Sequence, residues 1–346
     1  MKLLFLIFIL NSIIFQVHSS SSDEKNKFGR LWQRIEIPGA KCGNGKPYSV
    51  WFDKGINNKK LTVELMGGGA CWSKETCYGP NFKSWLFPIP RVPVMSLLTV
   101  NNRRFSPAAE GNYLYFPYCT ADVWAGNHKV NYLVDKSTFH YGHSNLRKSF
   151  DYLFKNNFLQ IDYLDDLIIY GASAGAIGGF LHSEFIASQF INIKNKSLIA
   201  DAPGLHFGDS FWEKFPEKFI NDINRSLEEI GLGVDLRTGN LSLQINLLCE
   251  RMNDWNIGIL QGSRDYFMSE FFGEISQDDH HDLIFSDRGI WELSKPYAHC
   301  SSWIKKTGHH TFLVFPHSWF LKVGKISAHQ FTFDITNQKQ NISVRD

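Results

Sequence analysis

The stretch Tyr170–Gly179, "YGASAGAIGG", decides how the chain folds. It ends the apolar run "LIIYG" at 167–171 and leads into the helical pattern "FLHSEFIASQF". Gly171 and Gly175 lie two positions on either side of Ser173, the Gly-x-Ser-x-Gly pattern of a tight strand-to-helix turn. Small residues there let the bend close and leave the central hydroxyl exposed above the sheet. Ser173 is therefore either a nucleophile on a strained turn or an ordinary serine in a glycine-rich bend.

Apolar and β-branched runs recur along the chain and are typical of strands buried on both faces. They lie at 48–52, 61–66, 113–117, 167–171, 197–202, 257–262 and 311–316. Helical patterns lie between them, one beginning at Asn145 and one spanning 242–252. This alternation predicts an α/β fold with a mostly parallel central sheet flanked by helices on both faces. Because no repeat or linker divides the chain, we expect residues 20–346 to form a single domain.

The amino terminus has the pattern of a secretory signal peptide. A lysine at position 2 precedes an apolar stretch from Leu3 to Val17, and small polar residues follow. An uncleaved anchor is the alternative, but two polar residues interrupt the apolar stretch, which is short for a membrane span. We therefore expect residues 1–19 to be a signal peptide, the mature protein to be secreted, and the chain not to insert stably into a membrane.

Composition limits the classes of partner and the use of cysteine. A formal net charge of +2 gives no basis for a nucleic-acid partner, and 43% hydrophobic residues suffice for a large core. Six cysteines in an exported chain favour disulfides, with Cys71 and Cys77 well spaced to close one loop. The sequence has no Cys-x-x-Cys pair, so the cysteine spacing does not indicate a metal site. Four Asn-x-Ser tripeptides are compatible with glycosylation; they begin at Asn195, Asn224, Asn240 and Asn341.

A nucleophilic serine needs donors that stabilise an oxyanion. The stretch "LTVELMGGGACW" at 61–72 leads from a predicted strand directly into three glycines, 67–69. Consecutive glycines let backbone N–H groups point into one spot without obstruction by side chains. The N–H of Ala174, the residue after the serine, is expected to be the second donor. The alternatives are a merely flexible turn and a phosphate loop, and the latter lacks its Gly-Lys-Ser/Thr ending.

The serine also needs a base and an acid, which on parallel sheets follow it in the order acid, then histidine. The strand and loop "IGILQGSRDYF" at 257–267 supply Asp265, and "KKTGHHTFLVFP" at 305–316 supplies His309 and His310. The run "QDDHHD" at 277–282 resembles a metal cluster, but adjacent charges without structural spacing are more typical of a solvated loop. Three further histidines lie in one polar region where they could line a cleft: His128, His140 and His143.

Six segments together resemble a known family. They are "LMGGGACWSKETC", "FPYCTADVWAGNH", "FHYGHSN", "YGASAGAIGG", "GILQGSRDYF" and "GHHTF", and "KCGNGKPYSVWF" precedes them. Their order is similar to that of the pectin acetylesterase / Notum family of secreted carboxylesterases, from about Cys42 to about Pro316. The chain departs from the family where Met66 stands before the glycines in place of the usual acidic residue. The tail after Pro316 has no recognisable family ending.

The resemblance implies an α/β-hydrolase-like fold and a Ser-Asp-His triad without a metal or organic cofactor. Carried over, the catalytic residues are Ser173, Asp265 and His310, and the oxyanion donors are on Gly68, Gly69 and Ala174. We choose His310 over His309 because the family histidine precedes a threonine. The resemblance also implies three disulfides: Cys42–Cys119, Cys71–Cys77 and Cys249–Cys300.

The resemblance leaves the ester substrate open. We expect removal of O-acetyl groups from a polysaccharide such as pectin, by an acyl-enzyme mechanism. The alternative is a Notum-like deacylase that acts on lipid-modified protein or on lipid esters. A hypothesis of another class is a secreted binding protein with a catalytically dead hydrolase fold. Four residues are candidates for the walls of the pocket that separates these substrates: Trp72, Trp124, Phe180 and His206.

Overall fold

The computed structural model describes residues 24–25, 29–92, 96–159, 163–232, 241–314 and 316–346. The predicted signal peptide, residues 1–19, lies outside these ranges. None of the helices within them combines the length and the hydropathy needed to cross a membrane.

A ten-stranded sheet forms the centre of the molecule. In spatial order its strands are β1 (Glu24–Lys25), β2 (Leu31–Lys41), β3 (Pro47–Asp53), β5 (Gly111–Phe116), β4 (Asn57–Leu65), β8 (Tyr163–Ala172), β9 (Asn192–Asp201), β10 (Trp255–Gly262), β11 (Cys300–Lys305) and β14 (Val344–Arg345). All pairs from β5 to β14 are parallel, and the three pairs from β1 to β5 are antiparallel. Two small sheets stand apart: β6 (His128–Leu133) with β7 (Lys136–His140), and β12 (Lys322–Val323) with β13 (Ile326–Ser327).

The helices of the described ranges alternate with the later strands of the sheet. They are α1 (Lys74–Tyr78), α2 (Gly142–Lys155), α3 (Ala174–Ser188), α4 (Glu217–Glu229), α5 (Ile245–Arg251), α6 (Gln277–Phe285), α7 (Ile290–Ser294) and α8 (Ala328–Thr336). Short 3₁₀ turns lie at 97–99, 211–214, 241–244 and 317–319, and a π-helical turn at 267–271.

Two hydrophobic cores cover the two faces of the sheet. Along β8, Leu167 and Ile169 belong to one core, which also contains side chains of α2, α3 and α4. Ile168 and Tyr170 alternate with them and belong to the second core, together with Phe331 of α8. Because successive side chains of a strand point to opposite faces, this division places helices on both sides. The expected architecture, a mostly parallel sheet flanked on both faces, is confirmed.

The prediction of a strand at 311–316 is wrong. Thr311 has a φ of +62°, which interrupts an extended chain. Among the described residues, backbone pairing of this segment is limited to an isolated bridge from Val314 to Ser96 and a hydrogen bond from the Leu97 N–H to the Leu313 carbonyl. Four strands of the sheet, β1, β2, β11 and β14, were not predicted. β1 and β14 have only two residues each, β2 mixes exposed with buried positions, and β11 contains two serines, so none of them has the continuous apolar run that marks the central strands.

The stretch at 277–282 is also not the solvated loop that its charges suggested. It begins α6, and Ser276 and Asp279 form a capping box in which each side chain accepts a hydrogen bond from the other residue's N–H. The Ser-x-x-Asp spacing is the local signal for this helix start. His280 is buried against the carbonyl of Ser263 at 2.9 Å, so the charged run has one face packed on the sheet.

Three disulfides are present, and they are the pairs that the resemblance implies. Cys42 bonds Cys119, Cys71 bonds Cys77, and Cys249 bonds Cys300. The described residues include no free cysteine. Complete pairing of this kind fits a protein that folds in an oxidising compartment.

Candidate active site

Ser173 lies on a strained turn between β8 and α3. Its φ of +56° and ψ of −124° fall in a region that residues with a side chain rarely adopt. A Cβ on Gly171 would lie 2.0 Å from the carbonyl oxygen of Gly175, and one on Gly175 would lie 2.0 Å from the carbonyl oxygen of Leu65. Both glycines are therefore required for the bend to close. Ser173 is 9% exposed at the N-terminus of α3, so its hydroxyl remains within reach of solvent.

Asp265 and His310 come together from two loops beyond the sheet. Asp265 follows β10, is fully buried, and pairs its Oδ2 with Nδ1 of His310 at 2.7 Å. Its Oδ1 accepts hydrogen bonds from the N–H groups of Phe267 at 2.9 Å and Met268 at 3.2 Å. These bonds fix the carboxylate, so it holds the imidazole in one orientation. The neighbouring His309 does not contact Asp265 in this way.

The protonation of His310 is set by opposing effects. Burial lowers the pKa of this imidazole, but the charge of Asp265, the hydrogen bond with it and the charge of Asp201 outweigh burial and raise the pKa above 6.5. Within the described part of the chain, no hydrogen bond joins the Ser173 hydroxyl to the His310 ring. Such bonds are often long in the absence of substrate and tighten when it binds.

Sequence reasoning missed Asp201, the last residue of β9. This carboxylate is fully buried and accepts hydrogen bonds from the N–H groups of Phe312 and Leu313, just after His310. An acid at the end of a predicted strand, in "SLIADA", is the only local signal for it. We call Asp201, Asp265 and His310 the acid–histidine cluster.

The loop of three glycines lies beside the serine turn. A Cβ on Gly67 would lie 3.0 Å from that of Ser173, which shows how closely the two backbones approach. No described acceptor takes a hydrogen bond from the N–H groups of Gly68, Gly69 or Ala174. Gly69 and Ala174 line the same cavity as Ser173, whereas Gly68 is packed under Trp85 and Tyr118.

Three side chains hold the glycine loop in place through its carbonyl groups. Ser84 donates to the Gly68 oxygen at 2.6 Å, and Tyr118 donates to the Gly69 oxygen at 2.8 Å. Trp124 donates from Nε1 to the oxygen of Met66 at 3.1 Å. These hydrogen bonds hold the loop without using its N–H groups, and no described acceptor takes those of Gly68 and Gly69. Backbone atoms brace position 66, so the family's usual acidic side chain is not needed for these contacts.

A large cavity opens next to Ser173 and is almost entirely apolar. It encloses about 960 Å³, including its mouth. Among the described residues that line it, Ser173 and Gln244 are the two polar ones. Most of the walls come from the described residues between β9 and β10. The rest come from the glycine loop and the residues just after it, from Ser173 and α3, and from Val123, Met268 and Phe272. The walls include Ile177, Phe180, Phe211, Phe215, Ile223 and Leu227. We call this space the apolar cavity.

The four candidate pocket residues divide into two pairs. Trp72 and Phe180 line the apolar cavity. Trp124 is instead buried against Gly178 and serves to brace the glycine loop, and His206 is buried with its ring near that of His280. Two of the four candidates, Trp72 and Phe180, therefore line the cavity. The sequence did not indicate that most of the lining comes from described residues between β9 and β10.

One group of three possible metal ligands lies in the described ranges: Cys71, Cys77 and His140. The two sulfurs form a disulfide and therefore offer no thiolate. Both ring nitrogens of His140 are hydrogen bonded, to the Thr120 carbonyl at 2.8 Å and to the Tyr132 hydroxyl at 3.2 Å. This group is structural.

Two more of the histidines flagged in the sequence form hydrogen bonds with carboxylates. His128 contacts Asp222 of α4 at 2.6 Å, and His143 contacts Glu229 of the same helix at 2.9 Å. These contacts join α4, which supplies one wall of the apolar cavity, to β6 and α2. None of them reaches the acid–histidine cluster.

The first half of the chain matches a known protein family. A family model described as pectinacetylesterase matches residues 29–207, just over half of the chain. The chain belongs to the pectinacetylesterase family. The matched region contains the glycine loop and the serine turn, while Asp265 and His310 lie beyond it.

Two curated relatives of this chain are both named palmitoleoyl-protein carboxylesterases. This chain is 24% identical over 163 residues to notum1a of Danio rerio, and the alignment covers 44% of this chain and 31% of that protein. The chain is 24% identical over 154 residues to the palmitoleoyl-protein carboxylesterase notum1' of Xenopus laevis, covering 42% and 30%. The chain thus spans less than a third of these relatives in the alignments.

A solved structure matches almost the whole fold. The Wnt deacylase Notum from Drosophila superposes with a TM-score of 0.57, covering 91% of this chain and 97% of that one at 14% sequence identity. The expected α/β-hydrolase-like fold is confirmed.

Proposed function

We propose that this protein is a serine carboxylesterase that removes a long, apolar acyl group from an ester. The apolar cavity beside Ser173 carries this proposal. An acetyl group would touch only a small part of the apolar walls, whereas each buried CH₂ of a longer chain contributes about 0.8 kcal/mol. The family and the names of the curated relatives support carboxylic ester hydrolysis.

In the proposed mechanism, His310 takes the proton of the Ser173 hydroxyl as its oxygen attacks the ester carbonyl. Asp265 keeps the imidazole oriented and stabilises its charged form. The N–H groups of Gly69 and Ala174, with Gly68 as the third predicted donor, stabilise the oxyanion. The alcohol leaves with the proton from His310, and water then attacks the acyl-enzyme to release the acid. This chemistry uses no metal and no organic cofactor.

The two substrate classes expected from the resemblance differ in the acyl group. Deacetylation of a polysaccharide such as pectin needs room for two carbons, and the family description supports it. Deacylation of a lipid-modified protein or a lipid ester needs a deep apolar space. The apolar cavity favours deacylation of a lipid-modified protein or a lipid ester, so we propose this substrate class ahead of acetylated polysaccharide.

We also propose that residues 20–346 form one catalytic domain that acts outside the cell. The three disulfides support an oxidising compartment. The partner is then an extracellular ester substrate and not a nucleic acid.

Initial rates on p-nitrophenyl esters from acetate to dodecanoate test the proposal. We expect kcat/KM to rise at least tenfold between acetate and the best longer chain, and Ser173→Ala to abolish turnover of all of them. A maximum at acetate, with release of acetate from pectin, would restore the deacetylase class. Absence of turnover on every ester by the folded wild type would support a dead binding protein. Retained turnover in Ser173→Ala would show that Ser173 is not the nucleophile.

A further inference from the structure

Asp201 is bonded to both loops of the proposed site through two different groups. Its backbone carbonyl accepts a hydrogen bond from the N–H of Ser173 at 2.8 Å. Its carboxylate accepts hydrogen bonds from the N–H of Phe312 at 2.8 and 2.9 Å and from that of Leu313 at 2.9 Å. Since Phe312 lies two positions after His310, one aspartate joins the serine turn to the histidine loop.

The register of the sheet explains this position. Asp201 ends β9, where it pairs with Ala172 of β8 on one side and with Leu260 of β10 on the other. β8 leads into Ser173, and β10 leads into the loop of Asp265. Asp201 therefore lies between the strands that carry the other two residues, at the same edge of the sheet.

The carboxylate also holds a loop that would otherwise relax. Thr311, between His310 and Phe312, has a φ of +62°, a rare conformation for a β-branched residue. Such strain persists only where the surroundings fix it. On the far side, the carbonyl of Leu313 accepts a hydrogen bond from the N–H of Leu97 at 2.7 Å. The loop is thus fixed from both sides.

Asp201 does not take the place of Asp265. The His310 ring bonds to Asp265, and both oxygens of Asp201 are occupied by backbone N–H groups. Burial raises the pKa of Asp201 to about 6, against the effect of those hydrogen bonds and of His310, so it carries a charge at neutral pH. That charge is one of the influences that raise the pKa of His310.

We propose that Asp201 is a positioning residue that fixes Ser173 and His310 relative to each other during acyl transfer. The proposal rests on the proposed function. Asp201→Asn removes the negative charge, and its NH₂ group would face a backbone N–H where an acceptor is needed. A displacement of about 1 Å at a reacting group can cost about 100-fold in rate. We expect kcat to fall about 10- to 100-fold, with KM within about twofold.

The pH profile separates positioning from mere support of the fold. His310 must be neutral to act as the base, so activity falls as pH falls through its pKa. Because Asp201→Asn removes a charge that raises this pKa, we expect the acid limb of kcat/KM to move to lower pH. Asp201→Glu keeps the charge but misplaces it, so kcat should fall while the acid limb stays near that of the wild type.

Asp334→Asn is the matched control. Asp334 of α8 is 7% exposed and pairs with Lys339 at 2.6 Å and Gln330 at 2.8 Å, with no bond to either loop. We expect it to lower thermal stability and leave kcat and the acid limb unchanged. The proposal is overturned if folded Asp201→Asn has wild-type kcat and acid limb, or lowers kcat without moving the limb. Should Asp201→Asn not fold, wild-type kcat in Asp201→Glu overturns it.

A measurement without turnover separates this proposal from the proposed function. The His310 ring is titrated by NMR in Ser173→Ala and in Ser173→Ala with Asp201→Asn. The positioning account requires a lower His310 pKa in the double variant, and an equal pKa contradicts it. If Ser173→Ala still hydrolyses esters, the proposed function fails while this titration still reports on Asp201.

Discussion

Two regions meet at Ser173, and they are built in opposite ways. Of the described residues that line the apolar cavity, only Ser173 and Gln244 are polar, so these walls offer few directional contacts. In the acid–histidine cluster, every carboxylate oxygen of Asp201 and Asp265 accepts a hydrogen bond. Contacts of the first kind tolerate acyl groups of different shape, and contacts of the second kind fix reacting atoms. From this difference and the proposed function, we expect the cavity to set which ester is bound and the cluster to set how fast it reacts.

The largest effect is expected in the cluster. Asp265→Asn removes the charge that orients His310, and we expect kcat to fall about 10,000-fold. The loss should be the same for acetate and for long-chain esters, because the cavity is unchanged. Steady-state rates on both, with KM values, check this. A loss confined to one chain length would show that the two regions are not separable.

The glycine loop borders both regions and should give an intermediate effect. Gly69 has a φ of +77°, and a Cβ there would lie 2.3 Å from the carbonyl oxygen of Lys83. Gly69→Ala should move the proposed oxyanion donor and lower kcat about 100- to 1,000-fold. Gly39→Ala is the control, because Gly39 has a φ of +73° but no atom within 4 Å of its Cβ position. Equal activity losses in the two variants would contradict the assignment of Gly69 to the oxyanion hole.

The smallest effect is expected in the cavity, and it should depend on the acyl chain. Leu227 of α4 lines the cavity, and Leu227→Trp fills part of it. We expect kcat/KM for dodecanoate to fall about tenfold more than that for acetate, the equivalent of about 1.4 kcal/mol. Glu228→Trp, at an exposed position of the same helix, adds the same bulk outside the cavity. If the two variants have equal chain-length profiles, the cavity does not hold the acyl group.

The serine turn and the central strands could be predicted because their signals are local. Gly171 and Gly175 flank the serine at fixed spacing, and the runs around them are continuously apolar. Asp265 and His310 could be named through the resemblance, and the structure places their side chains in contact. Their link to Ser173 remains a prediction.

The rest depends on packing between distant segments. Asp201 has no sequence pattern of its own, since its role comes from N–H groups more than a hundred residues away. The cavity is shaped by how residues 205–232 and 241–248 pack near α3, which composition does not reveal. The wrong strand at 311–316 has the same cause, because the Asp201 carboxylate holds that backbone in place of a neighbouring strand.

Labelling with alkyl fluorophosphonates tests the central claim most directly. The account predicts one adduct per chain, located on Ser173 by peptide mass spectrometry, with a dodecyl reagent reacting at least tenfold faster than a methyl reagent. An adduct on another residue, or equal rates for the two reagents, would contradict the claim that a serine nucleophile opens into an acyl-binding cavity.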